Sequence, residues 1–76
     1  MKEDLLKRIV QNPEIMLGKP VIEGTRMPVE ILVEKVAYGY SNQDILKEYP
    51  FISDEDIQAS LLYAARVISR EEVYAI

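Results

Sequence analysis

Lysines and arginines that precede Pro28 are the side chains with the clearest chemical use, because these groups bind phosphate oxygens through charge-assisted hydrogen bonds. Residues 1–35 hold six basic and six acidic side chains, whereas residues 36–76 hold three and seven. We therefore expect any phosphate-facing surface to lie in the N-terminal half. Gln58 adds an amide that is suited to reading a base edge. The candidate DNA-binding residues are Lys7, Arg8, Lys19, Thr25, Arg26 and Gln58.

Catalytic chemistry has little support in the composition. The chain contains no cysteine and no histidine, which removes the usual thiolate and imidazole groups as nucleophile, base or zinc ligand. Its carboxylates are scattered along predicted helices without a paired base or a glycine-rich phosphate loop. Asp54, Glu55 and Asp56 are adjacent, but consecutive helical residues point in different directions and make a poor metal site. We predict a protein that is not an enzyme and that uses no cofactor or metal.

Length and charge restrict the class of protein further. A chain of 76 residues makes one domain and buries only about 60% of its unfolded surface, so its stability margin is thin. Without a disulfide, packing or a partner must supply the stability, and we expect self-association as a homodimer. The net charge of −4 argues against binding bulk nucleic acid by electrostatics alone. Neither a signal peptide nor an apolar run of about 18 residues is found, so we expect a cytoplasmic protein without membrane contact.

The stretch from Gly18 to Pro28, GKPVIEGTRMP, predicts a β-hairpin. A Gly-X pair between short apolar runs is typical of a type II′ turn, because glycine supplies the positive φ of the first turn position. This assigns the turn to Gly24 and Thr25. The register predicts two cross-strand pairs: Ile22 with Met27, and an exposed ion pair of Glu23 with Arg26.

Short elements are predicted on both sides of Gly18. The apolar spacing within residues 5–10 predicts a short amphipathic helix that runs into a strand. Residues 15–17 are predicted to form a strand that ends at Gly18. Pro20 is expected to begin the strand that enters the hairpin, and Pro28 is expected to occupy the first position of a helix.

Two helices are predicted between Pro28 and Pro50. Apolar residues at positions 29, 32, 33 and 36 follow the helical period, and Gly39 is expected to end this first helix. Ser41 followed by Asp44 resembles a capping box, which predicts the start of a short second helix. Pro50 is expected to end it.

The third predicted helix carries the longest apolar stripe. Ser53 with Asp56 repeats the capping box, and three carboxylates in the first turn match the helix dipole. The stripe consists of Ile57, Leu61, Ala64, Ala65 and Ile68. This helix is predicted to end at about Ser69.

These elements predict a mainly α fold, a tri-helical helix-turn-helix bundle with a short N-terminal β-hairpin element. The single domain, residues 1–76, would comprise a β element (1–28), a three-helix bundle (29–69) and a tail (70–76). The pattern alone leaves DNA binding open, since three packed helices also bury a small core without any such role. The acidic start of the third helix would face phosphates, and helix capping explains those carboxylates fully.

Most of the chain, Asn12–Ala65, resembles the bacterial and archaeal family called domain of unknown function 433. The family pattern is a G-K-P turn, a G-T-R-[IM]-P-V segment, a G-x-S helix break, a Y-P pair and an acidic-capped final helix. The matching residues are Gly18, Lys19, Pro20, Gly24, Thr25, Arg26, Pro28, Val29, Gly39, Ser41, Tyr49, Pro50 and Asp56.

The resemblance implies a homeodomain-like or winged-helix-like fold and a role as a VapB-like antitoxin in a type II toxin–antitoxin system. Members of this family are thought to partner a PIN-like ribonuclease toxin, with the globular part dimerising and binding operator DNA while the tail covers the toxin. The resulting partner-binding candidates are Arg66, Arg70, Val73, Tyr74 and Ile76. The alternative is a protein–protein interaction or assembly module of helix-turn-helix fold that does not bind nucleic acid.

Overall fold

The computed structural model describes residues 2–70 of the chain. Within that range the chain forms four α-helices and a two-stranded sheet. The elements are α1 (Lys2–Leu6), β1 (Ile9–Val10), β2 (Val21–Ile22), α2 (Val29–Ala37), α3 (Asn42–Glu48) and α4 (Asp54–Arg70). The predicted fold class, mainly helical with a short β element near the N-terminus, is confirmed.

The two-stranded sheet joins the segment that follows α1 to the segment that precedes α2. β1 and β2 pair antiparallel, with Ile9 opposite Ile22 and Val10 opposite Val21. The predicted change from helix to strand within residues 5–10 is therefore confirmed. Val21 and Ile22 are both buried, which anchors the sheet to the helices.

The predicted register after β2 is confirmed, but the turn lies one residue earlier than expected. The amide of Ile22 donates to the carbonyl of Met27 at 3.0 Å, and the amide of Thr25 donates to the carbonyl of Ile22 at 3.0 Å. Gly24, at φ +80°, is thus the third residue of the turn spanning 22–25. A positive φ at that position is the requirement of a type II turn, so the glycine is needed at a different place in the turn.

Two predictions for this region are wrong. Residues 15–17 do not form a strand, because Met16 and Leu17 have φ of 51° and 59° and enter a short 3₁₀ turn. Left-handed residues cannot continue an extended strand. Glu23 and Arg26 are exposed and form no ion pair with each other. An exposed pair gains so little over hydration that its absence costs the fold nothing.

The helices begin and end close to where capping predicted. Pro28 precedes α2 as its extended N-cap residue, one position earlier than predicted, because it forms an antiparallel bridge with Val21. Gly39 has a φ of +92° just after α2, as predicted. The hydroxyl of Ser41 accepts from the amide of Asp44 at 3.1 Å and caps α3, again as predicted.

α4 is the helix around which the other elements pack. It contacts α1, α2, α3 and β1. The core lies against its first turns and against the turn after β2. The core side chains are Ile22, Met27, Val29, Leu32, Ile45, Ile52 and Ile57.

Candidate protein-binding surface

The N-terminal half of α4, residues 54–60, is built into the core. The amide of Asp56 donates to Ser53 Oγ at 3.3 Å, while the amide of Ser53 donates to Asp56 Oδ2 at 3.0 Å. This is the predicted capping box with both bonds formed. Asp56, Ile57, Ala59 and Ser60 are buried. Capping and burial together fix this half of the helix.

The C-terminal half of α4, residues 61–70, has no fully buried residue, although Tyr63 still packs against the core. The predicted apolar stripe continues along it, yet Leu61 is 38% exposed, Val67 is 36% exposed and Ile68 is 59% exposed. Contiguous exposed apolar residues of this kind mark surfaces that bind other molecules. This half of α4 therefore presents a candidate binding surface.

A groove, here called the α2–α4 groove, lies between α2 and this half of α4. It is an open depression of about 420 Å³. Its lining residues are Pro20, Val29, Glu30, Val33, Glu34, Tyr63, Ala64, Val67 and Ile68. Glu30 and Glu34 lie one helical turn apart on α2 and are its charged members, so the groove combines an apolar floor with an acidic rim.

A second, smaller depression, the α1–α4 groove, shares Tyr63 and Val67 with the first. It measures about 180 Å³. Its lining residues are Leu6, Ile9, Tyr63, Arg66, Val67 and Arg70. The structure thus brings Arg66 and Arg70, two of the predicted partner-binding residues, to one apolar depression. The other three, Val73, Tyr74 and Ile76, lie outside the described residues.

Arg8, a predicted DNA contact, is part of the fold. Its Nη1 donates to Asp56 Oδ1 at 3.1 Å, and the Asp56 side chain is only 10% exposed. The amide of Glu23 donates to the Arg8 carbonyl, which places Arg8 beside both the turn after β2 and the start of α4. Removing Arg8 would leave a nearly buried carboxylate without its cation. No local pattern indicates this contact, because it joins residues 48 positions apart.

The other predicted basic contacts are distributed over the surface. Lys7 Nζ lies 3.8 Å from Asp4 Oδ1, and Lys19 Nζ lies 3.2 Å from Glu30 Oε1. Lys19 precedes β2, whereas the turn with Arg26 follows it. The structure therefore places these side chains at opposite ends of β2.

The two polar candidates differ in role. The Thr25 hydroxyl donates to the Ile22 carbonyl at 2.7 Å and accepts from the Met27 amide at 2.9 Å, so it closes the turn. Gln58 is exposed on α4, three and four positions after the exposed carboxylates of Glu55 and Asp54. Its helix face is consequently acidic.

Residues 12–19, here called the Leu17 loop, are strained and carry a projecting apolar side chain. Three successive residues, Met16, Leu17 and Gly18, have φ of 51°, 59° and 85°. Each non-glycine residue in this region costs about 1–2 kcal/mol. Leu17 is 95% exposed. Such strain is typical of positions where a fold presents a residue for function.

Hydrogen bonds within and around the Leu17 loop hold this conformation. The amide of Glu14 donates to Asn12 Oδ1 at 2.9 Å, and Gln11 Nε2 donates to the Gly18 carbonyl at 3.2 Å. The amide of Lys19 donates to the Met16 carbonyl at 3.2 Å. The loop is therefore an ordered part of the surface that sequence reasoning assigned to a strand.

Lys35 connects α2 to α3. Its Nζ lies 3.0 Å from Glu48 Oε1, 4.6 Å from the ring centroid of Tyr40 and 5.9 Å from that of Tyr49. The hydrogen bond to Glu48 raises the pKa of Lys35 above its ordinary value. Lys35 is consequently protonated at neutral pH and acts as a tie between the two helices.

The structure shows two apolar grooves with charged rims and neither a metal cluster nor a membrane helix among the described residues. Across residues 2–70, no three side chains of metal-binding type gather in one place. In the same part of the chain, no helix has the length and apolarity needed to cross a membrane.

Comparison with known proteins places these features in a family. Residues 9–64 match the family model described as protein of unknown function (DUF433). The uncharacterized protein y4eO of Sinorhizobium fredii is 36% identical over 56 residues, which is 74% of this chain and 25% of that relative's length. The crystal structure of a DUF433 member protein from Anabaena variabilis aligns with a TM-score of 0.74 at 30% identity, covering 91% of this chain and 71% of the other.

The matched region includes both strands, α2, α3 and the buried half of α4. It ends at residue 64, so Arg66 and Arg70 lie beyond it. Because the family model covers well over half of the sequence and the solved relative has the same fold, the chain belongs to the DUF433 family.

Proposed function

We propose that this protein is a cytoplasmic VapB-like antitoxin that neutralises a PIN-like ribonuclease by covering its active site. The α1–α4 groove carries the proposal, because Arg66 and Arg70 border an apolar depression at the end of α4. A PIN-like nuclease holds its metal ions with acidic residues, and arginine is well suited to pair with carboxylates. The exposed apolar residues beside these arginines supply the desolvated contact that a stable complex needs.

The proposal predicts that residues beyond the groove extend the contact. Val73, Tyr74 and Ile76 follow Arg70 within six residues and are apolar or aromatic. Tyrosine is favoured as an anchor in the centre of an interface, and the two aliphatic side chains would add apolar contact area around it. Glu71 and Glu72 are negatively charged, like the acidic residues of the nuclease, and would repel them. We therefore assign the attractive electrostatic contact to Arg66 and Arg70.

The test is inhibition of the ribonuclease encoded by the adjacent gene. The full-length chain should co-purify with that protein and suppress its cleavage of RNA. Arg70→Glu should raise the inhibitory concentration at least about tenfold, because it sets like charges against each other in the interface. Lys47→Glu, the matched control, makes the same charge change on α3 outside both grooves and should leave inhibition unchanged.

Two outcomes would contradict the antitoxin function. One is the absence of both a stable complex and any inhibition with the adjacent gene product. The other is equal inhibition by the wild type and by Arg70→Glu, which would remove the arginine from the contact.

The proposal includes operator binding through a homeodomain-like or winged-helix-like use of the helices. Arg26 and Gln58 are exposed, and we assign this contact to them because the other basic candidates pair with carboxylates. Binding to the upstream DNA should weaken as salt rises, and Arg26→Gln should reduce that salt dependence by about one counterion.

The second candidate function is an assembly module without nucleic-acid binding. The observation that favours it is the pairing of Lys7, Arg8 and Lys19 with carboxylates, which lowers the positive charge available to phosphates. Absence of binding to upstream DNA even at low salt would support this candidate.

A further inference from the structure

The Leu17 loop and the α2–α4 groove are both apolar surface features and lie close together in the chain. Leu17 is 95% exposed, and Pro20, three residues later, lines the groove. The groove floor includes Val33, Val67 and Ile68, and its volume of about 420 Å³ can accept an aliphatic side chain. One chain therefore carries both a projecting apolar side chain and an apolar depression.

We propose that two copies of this chain form a symmetric dimer in which Leu17 of each copy inserts into the α2–α4 groove of the other. A two-fold interface brings the same patch of both copies together, so each copy can give one side chain and receive one. This inference rests on the loop and groove geometry and does not depend on the proposed antitoxin function.

The backbone of the Leu17 loop supports the proposal. Leu17 and Met16 hold left-handed backbone conformations, which cost free energy. A loop without a binding role would gain nothing in return for that cost. Hydrogen bonds from Gln11 and Lys19 fix the loop in this shape. The backbone that carries Leu17 is thus fixed before any partner arrives, which limits the backbone entropy lost on association.

Charge complementarity selects a second copy as the occupant. The rim of the groove is acidic, with Glu30 and Glu34, and the Leu17 loop carries Lys19 two residues after the inserting leucine. Glu34 forms no ion pair with the side chains that the structure describes, those of residues 4–70. The Lys19–Glu30 pair is exposed in each copy, and an exposed pair exchanges readily for an equivalent one. Insertion of Leu17 therefore brings a lysine toward a carboxylate rim.

The experiment is a mass measurement by light scattering and sedimentation on the full 76-residue chain, over concentrations from micromolar to millimolar. The wild type should show a reversible species of twice the 8.7 kDa mass of one chain. Leu17→Asn should raise the dissociation constant at least about tenfold, since a polar side chain replaces the inserting one. Asparagine tolerates the left-handed backbone, so this variant should remain folded with unchanged circular dichroism.

A groove variant and a control make the test specific. Ile68→Asn should weaken the dimer by a similar factor, and combining it with Leu17→Asn should add little, because both changes remove the same contact. Phe51→Asn changes an equally exposed apolar residue outside the groove and should leave the dissociation constant unchanged. A chain that stays monomeric at millimolar concentration would overturn the proposal. So would a dimer that Leu17→Asn leaves intact, or fully additive effects of the two variants.

Discussion

The two halves of α4 belong to one continuous helix but have opposite surroundings. In residues 54–60, Ile57 is 1% exposed and Asp56 is held by Ser53 and Arg8. In residues 61–70, Ile68 is 59% exposed and borders an open groove. Both halves continue a single apolar stripe with helical spacing. The periodicity of a helix therefore shows which side is apolar, and the length of its neighbours determines how much of that side is covered.

This difference separates fold from function within one element. The buried half unites α1, α2, α3 and β1, so changes there should act on stability. The exposed half contributes less to the core and keeps apolar surface available for a partner. Substitutions of the same type in the two halves should consequently differ in their effects.

The largest expected effect comes from truncating the stripe in its buried half. Ile57→Ala should lower the free energy of unfolding by about 2–5 kcal/mol, because it opens a cavity in the core. Leu61→Ala, the matched change at a 38% exposed position, should lower it by less than about 1 kcal/mol. Urea denaturation of the two variants and the wild type measures both values.

Equal losses in the two variants would contradict the division of α4 into a buried and an exposed half. They would mean that residues 61–70 are covered by an element of the monomer itself. The two variants should therefore be compared at a protein concentration well below the dissociation constant of any dimer.

The second expected effect is smaller and concerns the start of α4. Asp56→Ala removes a capping bond and the partner of Arg8, and should cost about 1–3 kcal/mol. Asp54→Ala, two positions earlier and exposed, loses a favourable charge near the helix N-terminus and an exposed hydrogen bond from Asn42 Nδ2, and should cost less than about 1 kcal/mol. Thermal and urea unfolding should rank the two variants in this order, and equally small losses would show that the carboxylates of the first turn act through the helix dipole alone.

The fold could largely be predicted from local signals. Capping boxes at Ser41 and Ser53 and the glycine at position 39 depend on hydrogen bonds and dihedral angles within a few residues, and all three appear where expected. The wrong assignment of residues 15–17 has a tertiary cause. An apolar triplet has strand character in isolation, and only the surrounding turns bring Met16 and Leu17 into the left-handed region.

The candidate surface was less accessible to sequence reasoning. The sequence predicts that Leu61 and Ile68 lie on one apolar face of a helix. Whether that face is exposed depends on how far α1 and α2 extend along α4, which the sequence does not show. The Arg8–Asp56 pair likewise joins residues that only the sheet and α4 bring together. Local patterns contain no information on such distances, so the sequence predicts Arg8 as a DNA contact and does not reveal its pairing with Asp56.

The smallest expected effect compares two ion pairs that differ in burial. Unlike the pair of Arg8 with nearly buried Asp56, Lys35 pairs with Glu48, whose side chain is 45% exposed. Its contribution should depend on pH, since the hydrogen bond to Glu48 raises the pKa of Lys35 in the folded state above 10.5, its ordinary value. A raised pKa stabilises the fold fully below the unfolded value, and that stabilisation is lost as pH rises through the folded value.

Lys35→Met should therefore be less stable than the wild type near neutral pH, and the difference should shrink above pH 10.5. Urea unfolding at about pH 8 and about pH 11 measures this change, with Lys47→Met as the control for lysine removal from a neighbouring helix. A difference for Lys35→Met that stays constant across this range would mean that packing of the lysine side chain beside the rings of Tyr40 and Tyr49, and not its charge, makes the contact. The tie between α2 and α3 would then be a packing contact, closer in kind to the buried half of α4 than to an ion pair.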